Sequence, residues 1–87
     1  MRIWIQEIRA NRPVRDMVVE NFEADTRTHK VFAALETACH EFDLPIPIWL
    51  DKNIADFKRH SRAKFLSDSF LEEIDFDYLD FSVLEED

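Results

Sequence analysis

"ADTRTHKVFAALETACHEFDLP", residues 24–45, is where the chain changes its hydrophobic period. Val31, Leu35, Ala38 and Phe42 recur at steps of four, three and four, and Phe32, Ala34 and Cys39 widen the stripe, so an amphipathic helix is predicted there. Asp25 or Thr26 supplies the oxygen that caps its start. Pro45 disfavours helical backbone at Leu44 and ends the helix near Phe42 or Asp43.

Upstream the period is two. In "MRIWIQEIR" Ile3 and Ile5 alternate with Trp4 and Gln6, which predicts a strand over Arg2–Arg9. Asn11 tolerates left-handed backbone better than any residue except glycine, and with Pro13 it marks a turn. The β-branched run from Val14 to Phe22 then pairs back as the second strand of an antiparallel hairpin. Downstream, two prolines hold "LPIPIWL" extended, so that Ile46, Ile48, Trp49 and Leu50 cover one end of a core. Asp51 caps a short second helix over "KNIADFKRH", with Ile54 and Phe57 one step of three apart.

From Ser61 the pattern weakens. "RAKFLSDSFLEEI" reads either as a strand followed by a helical turn or as one irregular segment, and the Ser69–Glu72 spacing of a capping box favours the turn. Ile74, Phe76 and Tyr78 then alternate with Asp75, Asp77 and Leu79, and a bulge near Asp80 lets Phe81 and Val83 continue the apolar series. The expected fold is α+β, one domain over residues 1–87: a small antiparallel sheet of the N-terminal hairpin plus a C-terminal strand or two, with two helices packed on one face.

Composition narrows the chemistry. Eleven basic against nineteen acidic side chains give a net charge of −8, which disfavours nucleic acid and anionic membrane and favours a basic protein partner. Glycine is absent, so phosphate-binding P-loops, dinucleotide fingerprints and the Gly-x-Ser-x-Gly nucleophile elbow are all excluded. The single cysteine makes no internal disulfide, and neither a basic-then-apolar leader nor an 18-residue apolar run is present. A cytoplasmic location is the expectation, with monomer and homodimer both open.

The run "TRTHKVFAALETACHEFDLPIPIWLDKNIADFKRH", with "FDYLDF" and "EED" at the close, resembles a family of short uncharacterised proteins from clostridial gut bacteria. The likeness covers most of the chain from Thr26 onward. It implies a soluble bacterial intracellular protein and carries no catalytic residue over to this sequence.

The charges are unevenly distributed, with nine acidic and no basic side chains between Asp68 and Asp87. One reading is a solvated strand whose like charges block edge-to-edge association. The functional reading is an acidic surface for a basic protein, with Asp75, Asp77, Tyr78, Asp80 and Phe81 as its contact set. The alternative site is the basic run of Lys58, Arg59, His60, Arg62 and Lys64, which either neutralises the second helix's C-terminus or forms a small phosphate or RNA patch.

Glu36 and His40, four apart on a helix, supply two metal ligands but no third, and His29 lies about 16 Å from His40 at 1.5 Å per helical residue. The Asp75, Asp77 and Asp80 trio fits no EF-hand loop. Cys39 beside His40 or His60, and Ser61, Ser67 or Ser69 with a histidine, lack the spacing of a nucleophilic site. The expectation is therefore a protein that is not an enzyme, with no cofactor and no metal; a small enzyme of unknown substrate is the third reading.

Overall fold

The computed structural model describes residues 1–87. Two hairpin strands, β1 (Arg2–Arg9) and β2 (Arg12–Glu20), come first, followed by helices α1 (Arg27–Glu41) and α2 (Asp51–His60). Strand β3 (Arg62–Phe65), a 3-10 turn over Ser67–Ser69 and strand β4 (Tyr78–Glu85) complete the chain. The four strands form one antiparallel sheet in the order β2-β1-β4-β3, with both helices on one face, the α+β architecture read from the sequence.

Register sorts the side chains. Ile5 lies opposite Met17 on β2 and Phe81 on β4, and Phe81 lies opposite Ala63 on β3. The same parity puts Ile3, Val19, Val83, Leu79 and Phe65 under the helices, where they meet Val31, Ala34, Leu35 and Ala38 of α1. Trp4, Gln6, Asp16, Val18, Tyr78, Asp80, Arg62 and Lys64 take the other parity and line the sheet face that no helix covers.

The core's second half is aromatic. Trp49 stands edge-on to Phe65 and Phe81, with ring centroids 4.8 and 5.7 Å away, and also meets Phe57 at 5.4 Å and Phe32 at 6.2 Å. Such edge-to-face contacts add to the area the rings bury. Trp49 therefore closes the core, as its position after "PIPI" suggested.

Several boundaries differ from the sequence reading. β2 runs Arg12–Glu20 rather than Val14–Phe22, because Pro13 pairs with Ile8 and leaves Val14 as the extra residue of a bulge opposite Glu7 and Ile8. No bulge occurs at Asp80, since β1 and β4 pair without a break from Ile3–Val83 to Ile8–Tyr78. The apparent slip is the junction between an irregular segment, from which Ile74 and Phe76 reach the core, and a strand that starts only at Tyr78. The Ser69–Glu72 box does not form, because the 3-10 turn ends at Ser69. At α1 the capping oxygen is Thr26 Oγ1, which accepts from the His29 amide at 3.2 Å. At α2 the cap position is Leu50, not Asp51, and its amide donates to Asn53 Oδ1 at 3.0 Å.

A chain without glycine must still turn, and four other residues take the left-handed region: Ala10 (φ 52°), Asn11 (62°), Asp43 (54°) and Ser61 (55°). Ala10 and Asn11 form the β1–β2 turn, whose Ala10 amide donates to Asp77 Oδ2 at 2.8 Å. Alanine at positive φ costs about 1–2 kcal/mol. Part of that is offset because glycine loses more entropy on folding. Ala10→Gly is therefore expected to stabilise the fold by about 0.5–1 kcal/mol in urea titration, and a loss of stability would mean that the turn is not left-handed at that residue.

Candidate functional site

The acidic C-terminal segment meets cations from all over the chain. Asp68 pairs with Lys52, Asp75 with Arg9, Asp80 with Arg62 and Glu85 with Arg2. Glu86 pairs with Arg27, and Asp87 with both Lys30 and the amino group of Met1. Asp77 accepts from the Ala10 amide. Only Glu72 and Glu73 of this segment lack such a partner.

The five-residue contact set is thereby split. Phe81 is wholly buried beneath the helices and presents nothing to a partner, a correction to its reading as an anchor. Asp80 is also buried, at 3% exposure, although it lies on the open face of the sheet. Arg62 covers it, donating from Nε to Oδ1 at 2.9 Å and from Nη2 to Oδ2. Tyr78 is half-buried beneath the Lys64 ammonium, 5.0 Å from its ring centroid. Asp75 and Asp77 alone stay exposed, and they stand at the loop end of the molecule.

Arg62→Ala strips the cover from a carboxylate that stays flanked by Gln6 and Lys64 on the neighbouring strands, so it is expected to cost about 2 kcal/mol. Replacing both partners by leucine should recover most of that, because a buried pair and an apolar pair of similar volume are close in energy. A single-variant loss below about 0.5 kcal/mol, the range of ordinary surface substitutions, would mean Asp80 is solvated without Arg62.

The ion pairs at the tail also set an acid response. The Arg27 guanidinium, hydrogen-bonded at 2.8 Å, holds Glu86 below its ordinary 4.5, and Lys30 with the Met1 amine holds Asp87 below its ordinary 3.8. Between the native and ordinary values the unfolded chain binds protons that the folded chain refuses, so acidification favours unfolding. Stability should be flat above about pH 5, fall as the pH drops through these carboxylate values, and fall less steeply in Glu86→Gln. An unchanged slope in that variant would remove Glu86 from the effect.

The basic run is divided between two hollows, with the exposed Arg59 bordering neither. Lys58 faces the groove between the helices, while Arg62 and Lys64 on β3 border a separate hollow with Asp56 and His60. Arg62 is also committed to Asp80.

Cys39 is fully buried, and burial pushes its thiol up to about 11, which withholds the thiolate that nucleophilic chemistry needs. Glu36 and His40 share an exposed hollow on α1, and no group of three or more His, Cys, Asp and Glu side chains converges on a metal-sized space. No helix is long and apolar enough to cross a membrane.

Four of the carboxylates without a cation border two adjoining hollows. Glu36 and Glu41 border a hollow with Leu44 and Ile46, and Asp43 and Glu73 border a second hollow with Leu44, Pro45 and Ile74, so Leu44 joins the two. None of the four carboxylates makes an ion pair, and Ile46 between them is 55% exposed. Asp75, whose pair with Arg9 is itself open to solvent, sits on the same rim. The sequence reading placed acidity and apolar anchors together from Asp75 to Phe81; carboxylates and aliphatic side chains also adjoin where the C-terminus of α1 meets the proline segment and the loop before β4. No protein-family model, curated protein or solved structure matches this chain.

Proposed function

We propose that this chain is a non-enzymatic, cytoplasmic interaction module that receives a basic protein segment on the end face formed by Glu36, Glu41, Asp43 and Glu73 around Leu44 and Ile46. The observation that carries this reading is the contrast in charge pairing. Six of the nine carboxylates of the C-terminal segment are matched by a cation of the same chain, whereas these four have none and border an exposed aliphatic floor. An unpaired acidic rim steers and orients a cationic segment, and the aliphatic floor supplies the desolvated contact that gives affinity. Pro45 and Pro47 hold that floor in one conformation, which lowers the entropy lost on binding. Asp75 contributes by exchanging Arg9 for a partner cation.

Selection of a displayed random-peptide library on the folded protein tests this reading. Enriched peptides should combine Lys or Arg with aliphatic residues, bind less tightly as salt rises, and lose binding to a Glu36→Gln, Glu41→Gln, Asp43→Asn, Glu73→Gln variant. Asp56→Asn, on α2, should leave binding intact. Peptides without basic bias, or equal binding to the fourfold variant, would remove the acidic face as the recognition surface.

A further inference from the structure

A second concavity has the opposite character. Val31 and Phe32 of α1 form one wall, Trp49, Ile54 and Phe57 the other, and Arg27 and Lys58 stand at the rim. Its volume is about 240 Å³, and its floor is apolar. Phe32 is 51% exposed and Ile54 38% exposed, so two large apolar side chains face solvent across the groove.

The two rim cations differ in state. The Arg27 guanidinium lies 4.9 Å from the Phe57 ring centroid and already holds a carboxylate, that of Glu86, through Nε at 3.2 Å and Nη2 at 2.8 Å. Lys58 has no anion within ion-pair distance, in a chain of net charge −8 where most other cations are paired. The rim therefore carries one guanidinium already neutralised by a carboxylate and one free ammonium beside the same apolar floor.

We infer that the groove between α1 and α2 binds a small monocarboxylate with an aromatic or branched apolar body, the body lying between Phe32, Trp49 and Ile54 and the carboxylate on Lys58. A volume of about 240 Å³ lies just below the range of drug-sized pockets and suits a ligand of roughly ten non-hydrogen atoms. Charge selects the class: a cation is repelled by the unpaired Lys58, and a neutral body gains nothing from the free ammonium. This site shares no residue with the acidic end face, so either stands if the other fails.

Trp49 lines the groove and Trp4 lies on β1 at a position facing away from the helices, so in a Trp4→Phe background the indole fluorescence reports on the groove alone. Phenylacetate is the probe, with phenylacetamide and 2-phenylethylammonium as its neutral and cationic counterparts. The expected result is a saturable change with a Kd near the millimolar range for phenylacetate, about tenfold weaker binding of the amide, and no saturation with the ammonium. Lys58→Gln, at an exposed residue without partners, should fold normally and weaken phenylacetate about tenfold while leaving the amide unchanged. Sedimentation runs alongside, with Phe32→Asp as the interface control. The inference is overturned if phenylacetate gives no saturable signal, if acid and amide bind alike, if Lys58→Gln binds phenylacetate as well as its parent, or if the protein dimerises and Phe32→Asp makes it monomeric, since the groove would then be covered by a second copy.

Discussion

Replacing Phe81 with alanine is expected to lower stability by about 4 kcal/mol, a large share of the 5–15 kcal/mol that holds a small domain together. Phe81 is wholly buried on the inward side of β4, between Ile5 on one neighbouring strand and Ala63 on the other. Its ring meets Trp49 at 5.7 Å, Phe57 at 5.8 Å and Phe65 at 6.2 Å, so its loss leaves a cavity lined by three aromatic rings and also removes the area it buried. Urea denaturation measures the cost, and Leu71→Ala at an 89% exposed position should change stability by less than about 0.5 kcal/mol. A cost near 1 kcal/mol for Phe81 would place the ring outside the core and return it to the surface contact set.

Asn53→Ala is the second large effect, with an expected loss of about 3 kcal/mol. Asn53 is 1% exposed near the start of α2, and its amide satisfies three separate elements. Oδ1 accepts from the Leu50 amide at 3.0 Å and from Ser69 Oγ at 3.1 Å, while Nδ2 donates to the Lys64 carbonyl at 2.9 Å. The substitution strands a helix-end amide, a strand carbonyl and a buried hydroxyl together, and each unsatisfied buried group costs about 1 kcal/mol or more. Ser69→Ala removes the donor of only one of those bonds and leaves Asn53 Oδ1 paired with the Leu50 amide, so it should cost no more than about 1 kcal/mol. If Asn53→Ala cost no more than Ser69→Ala, water would be replacing the amide, and the three elements would not be joined through it.

Local patterns were readable where they were complete within one segment. The α1 stripe, the β1 alternation and the left-handed turn at Asn11 each depend on neighbours within a few residues, and each is present. What failed to show in the sequence was pairing across distance. Asp80 reads as a member of a wet acidic series until β3 is known to place Lys64 opposite it and Arg62 beside it. β3 itself, four residues long, is too short for alternation to identify, and Asn53 reads as an ordinary polar residue of α2 because its partners lie 11 and 16 residues away. The acidic end face was hidden for the same reason: a carboxylate without a cation can be recognised only after every cation has been assigned. Counting charges along the chain found the acidity, and only the fold separated the spent carboxylates from the free ones.

The strand order carries a kinetic consequence. β4 comes last along the chain yet lies in the middle of the sheet, between β1 and β3, and it supplies Leu79 and Phe81 to the core. During synthesis the β1–β2 hairpin and both helices emerge from the ribosome before the strand that joins them, and β3 has no sheet neighbour until residues 78–85 appear. Pairing β4 with β1 closes a loop of some seventy residues, and such distant contacts slow the crossing to the native state. Folding thus waits on its final strand, and until that strand docks the aromatic faces of α2 and the proline segment are open to whatever apolar surface they meet first.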